Sequence, residues 1–314
     1  MPVLVGSQIQ AGGGTDLPGV GFSVATWYAP DGTVWPLTDP DSGWFTLADG
    51  VSGLDAASIS ITTDDRPRGG VRVRHIQPGQ RIITWPIRVE GEDHQAFINL
   101  WRAVGTAFTQ TSRLGPGELE IARPDGTARR VTAYYQEGFE GQGKQGYGTI
   151  ADFFVLTLLC EDPYWRDVTP QVIHRETATG VDFQSPYPSV SSAQVLGATT
   201  IENPGDAIAW PNWVVTGPAS LLTATLTTTG ESFQLNPNAT AIGHGNLLAG
   251  EQVTISTDPP QVRFGSTNWI GALNWPGAVL WGIPPGTVDV TFQLDGSGAG
   301  SAIDLVFYPL YETA

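Results

Sequence analysis

Two turn signals enclose one apolar segment in the stretch Glu202-Asn-Pro-Gly-Asp-Ala-Ile-Ala-Trp-Pro-Asn-Trp-Val-Val-Thr-Gly-Pro218. Asn203-Pro-Gly205 opens the stretch, because proline fixes φ and glycine accepts a positive φ. Residues Ala207–Val215 are predicted to form a strand, and Gly217-Pro218 ends it. The stretch begins an all-β domain and contains no obvious catalytic group.

The remainder of the second half continues this pattern of short apolar segments between turns. A hairpin is predicted around Pro284-Pro-Gly286, whose second arm alternates between apolar and polar side chains. Short strands at this spacing predict a β-sandwich over residues 200–314. The predicted strands are Ala207–Val215, Ser220–Thr227, Ser232–Leu235, Gln252–Ser256, Gln261–Phe264, Val279–Ile283, Val288–Leu294 and Ala302–Tyr308.

A further β-rich domain is predicted over residues 1–165. The segments Ser58–Thr62 and Val71–Ile76 alternate, which is typical of strands with one face covered. In the second of these segments the alternation puts Val71, Val73 and His75 on one face. We therefore expect His75 to lie near the core.

One amphipathic helix is predicted over residues 92–104, because its apolar side chains recur at helical spacing. Glu92 and Asp93 favour the positive N-terminal end of the helix dipole. Gly105 suits the C-terminal cap, where glycine accepts the left-handed conformation. A single striped helix among strands is expected to pack on a sheet.

The glycine-rich residues 137–148 resemble a phosphate-binding loop only superficially, because Gln145 rather than Ser or Thr follows Lys144. A hairpin arm is predicted there instead. Residues 166–199 are polar and rich in Ser, Thr and Pro, which predicts a linker. The predicted fold class is mainly β, with two β-sandwich-type domains, the first of which has one α-helix packed on it.

The charge distribution argues against nucleic-acid binding by the second half. The chain of 314 residues has a formal charge of −16, and only two of its fifteen basic residues follow Asp167, against eleven acidic ones. Such a surface repels phosphate backbones. Acidity is also an ordinary route to solubility.

The single cysteine, Cys160, excludes an intrachain disulfide and is expected to be a small buried hydrophobic residue. The N-terminus has no basic region followed by an apolar core, so no signal peptide is expected. No run of about 18 apolar residues occurs, so no membrane partner is expected.

The order of several motifs resembles that of one protein family. In the first half the resemblance rests on a strand-rich region, the helix at Glu92–Val104 and the run Leu158-Leu-Cys-Glu-Asp-Pro-Tyr-Trp165. Six further motifs follow in the second half: Asn203-Pro-Gly-Asp206, Trp210-Pro211, Gly217-Pro218, Gly230-Glu-Ser-Phe-Gln-Leu235, Leu280-Trp-Gly-Ile-Pro-Pro-Gly286 and Asp304-Leu-Val-Phe-Tyr308. Over nearly its whole length the chain resembles the distal tail proteins of long-tailed, siphovirus-like phages.

This resemblance implies a structural protein of the virion, at the distal end of the tail. Residues 1–165 would be the ring-forming domain of the family, and residues 200–314 its galectin-like domain. The resemblance implies self-assembly into a hexameric ring that docks on the tail tube protein and holds a tail-tip, or tail-associated, protein below. It also implies a receptor-binding protein as a further partner, with DNA only as passing cargo.

The side chains predict no catalytic centre, no cofactor and no metal site. The four histidines are scattered without metal-ligand spacing, and no nucleophile elbow is present. Neighbouring carboxylates, as in a cell-wall hydrolase, are more simply explained as solvated surface. The alternative function is a carbohydrate-binding adhesion module that recognises host polysaccharide, because indole rings stack on sugars. Its candidate stacking residues are Trp210, Trp213, Trp269 and Trp275.

Overall fold

The structure is a computed structural model, and it describes residues 22–47, 49–139, 149–177 and 197–314. The predicted arm at residues 137–148 therefore lies almost wholly outside the described residues. The chain divides into two compact units. The first comprises Met1–Val168 together with Tyr311–Ala314, and the second comprises Thr169–Leu310.

The first unit is built on one curved sheet, in the order β2-β1-β7-β8-β9-β6-β3, with β10 added beside β8. The sheet nearly closes, because the Thr46 N–H at the end of β3 donates to the carbonyl of Leu37, just after β2. A separate hairpin is formed by β4 and β5. The strands are β1 (Val24–Tyr28), β2 (Val34–Pro36), β3 (Trp44–Thr46), β4 (Ile59–Asp65), β5 (Val71–Pro78), β6 (Arg81–Glu90), β7 (Gly117–Ala122), β8 (Ala128–Glu137), β9 (Ala151–Cys160) and β10 (Trp165–Asp167).

Helix α1 (His94–Thr109), followed by the short α2 (Thr111–Leu114), packs on this sheet as predicted. The Asp93 carboxylate caps α1 by accepting a 2.7 Å hydrogen bond from the Ala96 N–H. Across the interface Trp27 of β1 stacks on Phe108 at 4.9 Å between ring centroids. Its indole N–H donates to the carbonyl of Ala107 at 3.0 Å, so the packing is both apolar and directional.

The prediction that Gly105 ends the helix is wrong, because α1 continues to Thr109. The glycine has a packing role instead. A Cβ atom at this position would lie 2.4 Å from the Phe139 ring, closer than any van der Waals contact allows. Gly105 therefore lets the Phe139 ring rest against the helix backbone.

The second unit is a β-sandwich, as predicted for its half of the chain. Its six-stranded sheet has the order β11-β20-β13-β16-β17-β18, and its four-stranded sheet has the order β12-β19-β14-β15. The strands are β11 (Gln171–Glu176), β12 (Gly197–Asn203), β13 (Asn212–Thr216), β14 (Leu221–Leu226), β15 (Glu231–Leu235), β16 (Gln252–Ser256), β17 (Gln261–Phe264), β18 (Thr267–Asn268), β19 (Gly286–Asp295) and β20 (Ala302–Phe307), followed by β21 (Leu310–Tyr311).

Two local predictions about the second unit are wrong. Part of the stretch assigned to a linker forms β11, which pairs along its whole length with β20. Most of its side chains are exposed, so it lacks the apolar alternation that identifies a strand. The segment Val279–Ile283 forms only an isolated bridge between Ile283 and Ala209. The hairpin predicted at Pro284 is therefore not formed, and β19 pairs instead with β12 and β14.

Candidate functional site

The β4–β5 hairpin is exposed along almost its whole length. Its strands pair with each other and with no third strand in the described residues. An isolated two-stranded hairpin is at best marginally stable in water. An arm of this kind therefore gains stability when another surface covers it.

A β-bulge at Arg74 sets which side chains share a face of the hairpin. Thr62 lies opposite His75 and Thr63 lies opposite Val73, which leaves Arg74 as an extra residue of β5. Directly opposed residues of an antiparallel pair point to the same face. The expected grouping of His75 with Val73 is therefore wrong, because the bulge turns His75 to the other face, and its strand is exposed rather than near the core.

The bulge gathers the aliphatic side chains of both strands on a single face. Without it, the three-residue spacing between Val73 and Ile76 would send these side chains to opposite faces. Each aliphatic side chain is 49–59% exposed, and exposed apolar patches of this kind mark interaction sites. The aliphatic face consists of Ile59, Ile61, Val71, Val73 and Ile76.

The other face and the tip of the hairpin are polar and basic. Arg72 lies opposite Asp64, and Arg74 forms a salt bridge with the same carboxylate. Arg66 and Arg68 stand in the turn. From Ile59 to Pro78 the sequence has four arginines and two aspartates, a formal charge of +2, whereas the whole chain carries −16. The hairpin is thus a basic, one-sided apolar arm on an acidic protein.

Of the four tryptophans predicted to stack on sugars, two are buried in the core of the second unit. Trp213 is 0% exposed and packs edge-on against Phe233, Trp281 and Phe292. Trp269 is 4% exposed and stacks on Phe264 at 4.5 Å. Neither ring presents a face to a ligand.

The other two tryptophans are at the surface. Trp210 is 44% exposed and Trp275 is 53% exposed. The indole N–H of Trp275 donates to the carbonyl of Ile270 at 3.1 Å. The Trp210 ring lies against the backbone of Gly282, a contact that no sequence pattern indicates.

Comparisons with known proteins identify solved structures that have a similar fold. No protein-family model matches the sequence, and no curated protein matches it significantly. The fold does match solved structures. The Dit protein (gp 19.1) of phage SPP1, described as a paradigm of the hub adsorption apparatus in phages that infect Gram-positive hosts, aligns with a TM-score of 0.62 at 13% identity, over 91% of this chain and 99% of that one. This chain has the fold of a phage Dit protein.

Two structures of the phage P2 baseplate in its activated conformation, with Ca and with Sr, contain chains of similar fold. They align with TM-scores of 0.53 and 0.50 at 10% and 12% identity. The alignments cover 93% and 91% of this chain and 99% and 98% of the baseplate chains. The predicted mainly-β class and the resemblance in fold are therefore confirmed. The hexameric ring and the galectin-like assignment stay predictions.

The described part of the chain contains one free cysteine, Cys160, which is buried. No cluster of three or more His, Cys, Asp or Glu residues there is placed to hold a metal ion. Burial raises the pKa of the Cys160 thiol to about 12, so at neutral pH this thiol is protonated and a poor nucleophile. Among the same residues, no helix is long and apolar enough to cross a membrane.

Proposed function

We propose that this protein is a structural hub of a phage tail tip, located in the virion at the distal end of the tail. Copies of the chain assemble head to tail into a closed ring that joins the tail tube to tail-tip proteins. The fold shared with SPP1 Dit and with the P2 baseplate chains is the observation that carries this proposal. A scaffold role needs no catalytic centre, and the chain is not proposed to be an enzyme.

The β4–β5 hairpin supports self-assembly. A ring requires a heterologous interface, in which one patch of each copy meets a different patch of the next. The hairpin supplies one such patch per chain, with an aliphatic face to bury and a basic tip that attracts the acidic remainder of a neighbour. Burial of one Ile or Val side chain contributes about 1.5–3 kcal/mol when it is complete, before the costs of association.

Native mass spectrometry of the full-length chain, with negative-stain images of the same sample, tests the ring. A six-fold ring is the expected result. A chain that stays monomeric even with its tube and tip partners would overturn the proposal.

A pair of matched variants then tests the hairpin itself. Ile61→Asp places a charge on the aliphatic face and is expected to prevent assembly, whereas Gln77→Asp places the same charge on the polar face and is expected to leave the ring intact. If Ile61→Asp forms the same ring as the wild type, the hub proposal stands, but the interface must lie on another surface of the chain.

A further inference from the structure

Trp210 lies in an extended segment whose side chains alternate between core and solvent. Ala207 and Ala209 are buried, whereas Ile208 and Trp210 are about half exposed. The core of the second unit is filled by other aromatic side chains, including Trp213 and that unit's other buried indoles. Trp210 is therefore not needed to fill the core.

Gly282 forms the floor on which Trp210 and Ile208 rest. A Cβ atom at this position would lie 2.4 Å from Cγ2 of Ile208 and 3.1 Å from Cε3 of Trp210. Both distances are shorter than ordinary van der Waals contacts, so only glycine lets the two side chains approach the backbone this closely. The indole is supported on one side by backbone and keeps a substantial part of its surface open to solvent.

The floor and the segment above it are fixed to one another. The N–H groups of Ala209 and Ile283 each donate to the other residue's carbonyl, at 2.9 and 2.8 Å. The side-chain amide of Asn203, buried at the end of β12, donates to the carbonyls of Ala207 and Ile283 at 3.1 and 2.8 Å. A satisfied buried amide of this kind holds both segments in one arrangement. The surface formed by Trp210, Ile208 and Gly282, here called the Trp210 platform, is therefore in place before any ligand binds.

No described residue accepts a hydrogen bond from the ring nitrogen of Trp210, which is an exposed residue. Two other tryptophans of this unit differ, because their ring N–H groups are hydrogen-bonded. The N–H of Trp275 is bonded to Ile270, and that of Trp281 donates to the carbonyl of Ala224 inside the core. The platform thus combines an exposed apolar ring with one free donor.

We propose that Trp210, supported by Gly282 and flanked by Ile208, is a stacking site for a neutral saccharide. The C–H face of a pyranose packs on an indole, and a sugar hydroxyl accepts from the ring N–H. The acidic half of the chain in which Trp210 lies disfavours anionic polymers. Two side chains over one glycine offer far less contact area than the roughly 800 Å² per partner of a standard protein interface. A single sugar ring therefore fits this surface better than a protein does.

The test uses the full-length chain labelled with 5-fluorotryptophan and observed by ¹⁹F NMR. The probes are methyl glucoside, methyl galactoside and N-acetylglucosamine oligomers, with glycerol phosphate as the anionic comparison. We expect a saturable shift of the Trp210 signal, identified by its loss in Trp210→Phe, with at least one neutral probe and none with glycerol phosphate. The signal of Trp275, the more exposed of the two surface tryptophans, is expected not to move.

Two variants separate stacking from a general effect on the surface. Gly282→Ala lifts the ring and is expected to weaken saccharide binding about tenfold, whereas Trp275→Ala is expected to leave the affinity unchanged. The proposal is overturned if no neutral probe gives a saturable shift, or if Trp275→Ala weakens binding as much as Gly282→Ala does. It is equally overturned if the Trp210 signal moves only with protein concentration, since the platform would then contact another protein.

Discussion

Arg81, at the start of β6, donates a 2.7 Å hydrogen bond to the carbonyl of Glu312, 231 residues further along the chain. The same buried guanidinium donates to the carbonyls of Pro163, Gly53 and Asp55. Burial lowers the pKa of Arg81, but arginine starts so high that it stays charged. One side chain thereby joins β6 to three backbone segments that are distant in sequence.

Replacement of this residue is expected to destabilise the first unit strongly. Arg81→Met keeps much of the side-chain volume but leaves several buried carbonyls without donors, each at a cost of about 1–3 kcal/mol. We expect the free energy of unfolding to fall by about 3 kcal/mol or more, measured by urea denaturation. The control is Arg88→Met, which removes an exposed ion pair with Glu90 and should cost less than about 1 kcal/mol. Equal losses in the two variants would contradict the role of Arg81.

Gly105 is expected to resist a substitution that normally stabilises helices. Alanine is favoured over glycine inside a helix by about 1 kcal/mol. At this position the new methyl would lie 2.4 Å from the Phe139 ring, and overpacking of this kind typically costs about 1–3 kcal/mol. Gly105→Ala should therefore lower the thermal midpoint of unfolding.

A double-mutant cycle isolates the contact between Gly105 and Phe139. In a Phe139→Ala background the ring is gone, so Gly105→Ala should become neutral or stabilising. If the alanine costs the same stability in both backgrounds, the ring of Phe139 is not the reason that residue 105 is glycine.

The pair formed by His174 and Asp304 on neighbouring strands predicts a pH dependence of stability. The 2.5 Å hydrogen bond to the Asp304 carboxylate raises the pKa of His174 above its ordinary value of 6.5. Because the folded-state pKa is raised, the pair stabilises the fold fully below pH 6.5. This contribution is lost as the pH rises through the raised value.

The variant Asp304→Asn tests this pair. We expect the histidine pKa, followed by NMR, to fall in the variant, and the stability difference from the wild type to shrink as the pH rises above the raised pKa. The side chain of His174 is about half exposed and that of Asp304 about a third, so the difference should stay below about 1 kcal/mol and weaken with salt. An unchanged midpoint of His174 would show that the carboxylate does not hold its proton in solution.

Much of the second unit could be predicted because its strands alternate cleanly. The segments around β14, β16, β17 and β19 each place apolar side chains in the sandwich core. The strand β11 could not be predicted in this way, because none of its side chains is fully buried. Alternation detects a strand only through the side chains that it buries.

The candidate sites show a second limit of what can be predicted from the sequence. Alternation correctly indicated strands at β4 and β5, but it does not specify whether a protein covers an apolar face with its own core or leaves it for a partner. The bulge at Arg74 leaves no local signal that identifies it. Composition likewise cannot separate the exposed Trp210 from the buried Trp213, because the residues that each ring packs against lie elsewhere in the sequence.

Two single-residue deletions test whether assembly depends on the continuous aliphatic face of the hairpin. Deletion of Arg74 removes the extra residue of the bulge and leaves Val73 and Ile76 on one face, because a regular strand then separates them by two positions. Deletion of Thr62 also removes the bulge, but it does so by shortening β4. Val71 and Val73 then turn to the face opposite Ile61.

We expect the Arg74 deletion to assemble as the wild type does, with Arg74→Ala as the control for the lost charge. The Thr62 deletion, of the same length and with the same composition of aliphatic residues, should need at least about tenfold more protein to assemble, because its aliphatic face is split. The mass of each variant over a concentration series, measured by light scattering, distinguishes the two cases. If both deletions assemble equally well, the ring does not depend on one continuous aliphatic face, and its interface must lie on another surface of the chain.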